Sequence, residues 1–303
     1  MTGATGLLGS RVVRLLRRAR LPVRALVRPG SHYYKLNDSG CDYFFGDLRD
    51  PRSLRRALRG CERLVHAAQV RLDSTDNHQA VVMEEGSRAL WAAASERGVR
   101  KVVMTSCLGV SMDFPHPAFA CQAEAEASLV ASGLPHTILR CAPFVEELLR
   151  PRVWGDPDSR LSPLSRDDAA IAVLACLDDS APMGPIALGG PDAMTLREAV
   201  DRAHNRAGTS PQWMPATGML ARVAGLAGRR WRNHIERMRL LHSSNLVAGP
   251  LPGVTPTSLD AALERLLVEG GEEEVYRTFA ATVYKPGSVP FGSLPEGPLR
   301  EVD

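Results

Sequence analysis

The chain has 303 residues, with 37 Lys and Arg against 34 Asp and Glu, for a formal charge of +3 at pH 7. That length holds one large α/β domain, or one with a helical appendage, and so mild a charge gives no reason to invoke a nucleic-acid partner. Six cysteines (Cys41, Cys61, Cys107, Cys121, Cys141, Cys176) form no C-x-x-C pair and no signal peptide or long uncharged apolar run is present, so the sequence predicts a cytoplasmic protein without metal site, disulfide framework or transmembrane helix.

The chain opens on Thr2-Gly3-Ala4-Thr5-Gly6-Leu7-Leu8-Gly9-Ser10, with glycines spaced G-x-x-G-x-x-G. Val12, Val13, Leu15 and Leu16 then recur at helical spacing, with arginines on the other face. The glycines therefore sit where a loop becomes a helix N-terminus. Such a turn offers free backbone N–H groups and the positive end of a helix dipole, and glycine lets a diphosphate approach the backbone. A dinucleotide fold needs a central strand ahead of this loop, but only Met1 precedes Thr2. The expectation is a truncated first strand. The natural chain would start upstream, a targeting segment could have gone with the missing part, and Met1 would stand for the strand's last apolar residue. The alternative is that other residues fill the slot.

Pro22 to Arg28 reads as a second strand ending at Pro29-Gly30. An acidic residue at that strand end would bind the 2′-hydroxyl of NAD, whereas an arginine favours the 2′-phosphate of NADP. Arg28 holds the place, so NADP is expected. Cys41 to Phe45 is a third strand, followed by Gly46-Asp47-Leu48 and a helix over Leu54 to Leu58. Asp47 can accept from the adenine amino group with Leu48 on the ring, or it can cap the turn. Arg63 to Ala68 is a fourth strand whose small end, Ala67-Ala68, suits close approach to the nucleotide. His66 reads as a packed strand-end residue. A helix over Glu84 to Arg97 ends at Gly98.

Val99 to Cys107 is a fifth strand with a polar end, which puts Ser106 and Cys107 near the nicotinamide. Phe114 to Phe119 reads as a Pro-rich loop and Cys121 to Ser132 as a helix. His136 to Cys141 is a sixth strand, followed by Ala142-Pro143-Phe144, and Ile186 to Gly190 is a short seventh. Thr195 to Ala207, Met219 to His242 and Thr257 to Leu267 read as helices, and Pro286 to Asp303 as an extended Pro/Gly tail.

The glycine loop, Val23 to Arg28, Gly46 to Leu48, Gly98 to Ser106, Gly133 to Phe144, Arg166 to Ala170 and Leu188 to Pro191 together resemble the NmrA-like, atypical branch of the short-chain dehydrogenase/reductase superfamily. The likeness covers Thr2 to roughly Ala207. Ser243 to Asn245 and the helix near Trp231 are more faintly similar to that family's photosystem-assembly members. The resemblance implies a doubly wound, mostly parallel Rossmann α/β sheet, with residues 1–190 binding NAD(P), a smaller mainly helical region over 191–284, and a tail over 285–303. It carries the phosphate loop onto Gly3, Thr5, Gly6, Leu7, Leu8 and Gly9, and the 2′-phosphate contact onto Arg28. It carries the adenine contacts onto Asp47 and Leu48, the ribose side onto Ala67 and Ala68, and the nicotinamide side onto Ser106, Pro143 and Phe144.

Active reductases of the wider superfamily use Tyr-x-x-x-Lys, the Lys lowering the pKa of the acidic Tyr. Ala118 and Gln122 occupy those positions here. Gln122 can hydrogen-bond a ribose hydroxyl but cannot carry a charge, so no catalytic residue is assigned. His116, Cys107 and Cys121 read as loop or core residues. The leading expectation is an NADP(H)-binding protein whose nucleotide is structural or regulatory. It would act as a subunit or assembly factor, docking on a protein partner through its C-terminal helices and tail beside a membrane. The alternatives are an NADPH-dependent reductase of quinones or similar acceptors, and an NADP redox sensor.

Overall fold

A computed structural model describes residues 1–29, 31, 33, 36, 39–70, 80–110, 117–214 and 245–268. The expected helix over Met219 to His242 and the tail over Pro286 to Asp303 lie outside the described residues, as does His116. Among the described residues, no helix is long and apolar enough to cross a membrane.

The core is a parallel sheet. Strands β1 (Arg24–Val27) and β2 (Asp42–Phe45) pair with each other, and β3 (Arg63–His66), β4 (Lys101–Cys107), β5 (His136–Cys141) and β8 (Gly184–Leu188) run side by side in that order. Met1 and Thr2 join the two groups. On one side the Met1 N-terminus donates to the Arg24 carbonyl (2.6 Å), and the Leu26 N–H donates to the Met1 carbonyl (2.8 Å). On the other, the Thr2 N–H donates to the Val65 carbonyl (2.9 Å), and the Ala67 N–H donates to the Thr2 carbonyl (3.3 Å). Two residues thus occupy the central strand position. The order is β2, β1, this dipeptide, β3, β4, β5, β8.

Helices cover both faces, which makes the sheet doubly wound. Helix α1 (Leu7–Arg18) buries Gly9, Val12, Val13, Leu15 and Leu16. It shares a core with Val65, Val103, Leu139 and the buried α6 (Arg166–Ala175). Arg17 and Arg18 fall in its last turn, where a cation complements the dipole. The opposite face takes α2 (Pro51–Ala57), α3 (Gly86–Glu96) and α4 (Pro117–Ala131) around Leu54, Leu90, Trp91 and Leu129.

Several boundaries differ from expectation. Helix α2 starts at Pro51 because the Asp50 carboxylate accepts from the Arg52 N–H at 2.9 Å, and proline suits the first helical position. A π-helical turn over Ala80–Glu85 leads into α3. Helix α4 starts at Pro117 rather than Cys121, so part of the expected loop is helical.

A separate core joins α5 (Val145–Leu148) to the later elements. In it Val145, Leu148, Val153 and Leu161 pack with Leu196, Ala199, Val200 and Ala203 of α7 (Leu196–Ala207) and Leu259 and Leu263 of α8 (Leu259–Leu267). Two short ladders frame it: β6 (Arg152–Trp154) with β10 (Gln212–Met214), and β7 (Arg160–Leu161) with β9 (Met194–Thr195). The smaller unit therefore draws on residues 145–161 as well as those after 190. Helix α7 has a full capping box between Thr195 and Glu198, and Gly208 at φ +64° ends it. Asp168 on α6 ties α8 down, accepting from the Thr257 N–H and hydroxyl, both at 2.7 Å.

His66 is a packed residue. Its Nδ1 lies 2.8 Å from the Thr2 hydroxyl and its ring meets the Trp91 edge at 5.1 Å. Burial first, and the N-terminal ammonium second, lower its pKa to about 4. The folded pKa lies below the unfolded value near 6.5, so the unfolded chain binds more protons between those pH values. Stability from this residue is complete above pH 6.5 and is lost as pH falls toward 4, by about 3 kcal/mol. Glu146 and Asp168 have raised pKa values and act in the opposite sense. The effect is therefore read as a difference: His66→Gln should flatten the fall in urea-unfolding free energy between pH 7 and pH 4.5 relative to the parent chain.

Candidate functional site

At the carboxyl ends of these strands lies a cavity of about 420 Å³. Its floor is the glycine loop. Gly3 sits at φ +68°, and a Cβ there would lie 2.4 Å from the Ala67 carbonyl carbon. A Cβ on Gly9 would come within 2.0 Å of the Gly3 carbonyl oxygen. The loop is therefore pressed against β3 and folded on itself at a closeness only glycine permits. Gly6 precedes α1 and supplies no side-chain cap, so the first N–H groups of the helix face the cavity edge without an intrahelical partner. No acidic residue stands in that first turn. Uncapped N–H groups at a dipole's positive end suit an anion.

One end of the cavity is polar. Val27 ends β1, Arg28 and Ser31 follow it, and Asp47 and Leu48 follow β2. Asp47 is held in its turn by Arg49, whose N–H and Nε each donate to Oδ1 at 2.9 Å. Burial alone would raise this carboxyl, but the Arg49 hydrogen bonds, with help from the Arg28 charge, keep it below the usual range. The turn role weighed for Asp47 is thus realised, and the residue still faces the cavity.

The other end mixes apolar side chains with Glu147 and Arg166 above a charged base. Ser106, Cys107, Leu108, Pro143, Phe144 and Leu246 line it. Beneath, the Ser106 hydroxyl donates to Glu126 of α4, which is only 4% exposed. Arg140 of β5 grips the same carboxylate through Nε (3.0 Å) and Nη2 (2.6 Å). Leu246 reaches the site because the segment after 245 bonds back across the sheet edge: the Leu246 N–H donates to the Arg160 carbonyl at 2.8 Å, and the Gly189 N–H donates to Gly249 at 2.9 Å.

All the sequence-predicted residues except Gln122 line this one cavity: Gly3, Thr5, Gly6, Leu7, Leu8, Gly9, Arg28, Asp47, Leu48, Ala67, Ala68, Ser106, Pro143 and Phe144. Gln122 is buried at 5% exposure outside its wall, and its Nε2 has no hydrogen-bond partner among the described residues. Cys107 lines the wall, whereas Cys121 is buried away from it. Among the lining residues that sequence reasoning missed are Ser31, Leu108, Glu147, Arg166 and Leu246. Only Arg166 carried a signal, since it opens a motif already noted. Among the described residues no cluster of His, Cys, Asp and Glu could hold a metal.

A family model described as NAD(P)H-binding matches residues 3–180. The chain belongs to that family. An NAD(P)H azoreductase from Xenophilus azovorans is 28% identical over 227 residues, covering 72% of this chain and 76% of the relative. The photosystem II assembly factor Ycf39 of Trieres chinensis is 29% identical over 147 residues, covering 48% and 46%. An NADPH-dependent quinone oxidoreductase from Escherichia coli, solved with NADPH, superposes with a TM-score of 0.65 at 22% identity, covering 88% of this chain and 99% of that one. That likeness shows the fold. The cradle built by Gly3 and Gly9 fits a nicotinamide dinucleotide's diphosphate.

The cradle makes a sharp prediction. Gly9→Ala should abolish nucleotide binding and cost about 2–3 kcal/mol of stability, as forced overpacking does. Gly249→Ala, where nothing lies within 4 Å of the added methyl, should change neither. Calorimetric titration with NADPH and thermal melts of both variants check it.

Proposed function

We propose that the chain is an NADPH-dependent reductase of flat, conjugated acceptors such as quinones or azo compounds. One observation carries this reading: a single cavity joins the glycine cradle to an end where Leu108, Phe144 and Leu246 stand beside Arg166 and Glu147, and a planar acceptor would fit against those apolar side chains. The azoreductase relative and the quinone-oxidoreductase fold support it.

In this reading the N–H groups of Leu7 to Gly9 hold the diphosphate and Arg28 holds the 2′-phosphate. Asp47 and Leu48 flank the adenine, and Ala67 and Ala68 leave room for the ribose. Ser106, whose hydroxyl donates to Glu126, would offer its lone pairs to a donor such as the carboxamide. NADPH supplies a hydride, and the acceptor's proton comes from solvent. Ala118 and Gln122 offer no Tyr/Lys pair to deliver one. Conjugated acceptors suit such a site, because the charge left by hydride addition spreads onto heteroatoms that water can protonate.

A second reading keeps the nucleotide as a structural or regulatory part of a protein that docks on partners. The missing acid pair favours it, and the Ycf39 likeness supports it at low identity over half the chain.

Two outcomes are expected. Arg28→Ala should weaken NADPH by about 1.5–3 kcal/mol, the worth of a hydrogen bond to a charged group, and leave NADH nearly unchanged. Equal weakening of both would remove the 2′-phosphate assignment. With NADPH in excess, a panel of quinones and azo compounds should include one turned over at about 1 per second or faster. Tightly held NADP(H) with no turnover on any of them would favour the second reading.

A further inference from the structure

Arg166 breaks a local rule. It is the first residue of α6, directly after the Ser165 cap, where the helix dipole disfavours a cation. It is also nearly buried, with 11% of its side chain exposed. Such local violations in a well-built chain mark positions kept for function. Arg166 lines the cavity, with its guanidinium 5.7 Å from the centre of the Phe144 ring. Glu146 is one of its partners. One Glu146 oxygen lies 3.3 Å from Arg166; the other is buried without a hydrogen-bond partner among the described residues. Burial raises the Glu146 pKa despite the nearby arginines. The other cation of this corner, Arg11, pairs with Asp167. A buried guanidinium fixed on an aromatic ring and facing a cavity is built to take a planar or tetrahedral oxyanion.

We propose that Arg166 is an anion receptor of this cavity, taking a phosphate, carboxylate or sulfonate group presented between the glycine loop and Phe144. The inference rests on the cavity being the ligand site of the preceding section. The oxyanion has two possible sources: the nucleotide's own diphosphate, or an acidic substituent on the acceptor. Glu146 competes with it for the guanidinium, so removing the Glu146 charge strengthens anion binding.

The test uses the full chain and three variants: Arg166→Gln, Arg166→Lys and Glu146→Gln. NADPH is titrated alone, benzenesulfonate is titrated onto protein saturated with NADP+, and inorganic pyrophosphate is titrated onto the nucleotide-free protein. Arg166→Gln should weaken at least one probe by about 10-fold to 100-fold, the range of a charge-assisted hydrogen bond. Arg166→Lys should recover part of the loss. Loss of NADPH and pyrophosphate assigns the diphosphate, and loss of benzenesulfonate alone assigns the acceptor. Glu146→Gln should tighten the same probe several-fold, an opposite sign that a merely structural role does not produce. If Arg166→Gln fails to fold, the sign of the Glu146→Gln effect decides. Unchanged affinities in Arg166→Gln, or weakening in Glu146→Gln, overturn the proposal. Pyrophosphate bound through Arg166 by a chain that ignores NADPH would sink the reductase reading and keep the receptor.

Discussion

The structure depends on the hydrogen bonds of two residues. Met1 and Thr2 bond to β1 on one side and β3 on the other, and without them the sheet would fall into a pair and a group of four. The backbone groups they satisfy lie where unmade hydrogen bonds are costly. The same dipeptide aims the glycine loop. Thr2 is fixed at the sheet's carboxyl edge, and Gly3 turns at once against Ala67. The position of the cradle, and of the N–H groups of α1 above it, follows from that anchoring. The Thr2 hydroxyl adds a third tie through His66, which in turn rests on Trp91 of the opposite face.

Much of this was legible because it is local. The parallel strands are apolar runs bounded by turns, and the cradle is a spaced set of glycines. Strand ends in an open α/β sheet converge on one crevice, which is why residues as distant as Arg28, Asp47, Ala67 and Phe144 meet around one space. What was not legible is equally physical. Ladders of two or three residues, such as β7 with β9, are too short to show a period. Helix α6 is buried along nearly its whole length, so its sequence has no polar stripe to betray it. Leu246 reaches the cavity through a backbone crossing that only the tertiary structure creates. Gln122 was placed at the nucleotide by its register with a family motif, and the cavity wall does not include it.

The Ser106 end of the site stands on a buried charge. Glu126 lies one helical turn beyond Gln122 on α4 and is held by Arg140 from the neighbouring strand. Burying the Glu126 carboxylate costs desolvation that its attraction to the half-exposed Arg140 only partly returns, so the pair is weak evidence of stabilisation. Its consequence is directional. Glu126 accepts the Ser106 hydroxyl's hydrogen bond, which fixes the rotor and leaves lone pairs as the oxygen's remaining capacity. A chain lacking the usual Tyr and Lys thus still presents a fixed hydrogen-bond acceptor at the strand end. That is a group for orienting a ligand, its own hydrogen being engaged by Glu126. The chemistry this end can support is therefore transfer that needs position more than acid. The same reasoning accommodates relatives as different as an azoreductase and a photosystem assembly factor. In the proposed reading the cradle, the edge arginine and the Ser106 acceptor would hold the dinucleotide whichever use is made of it.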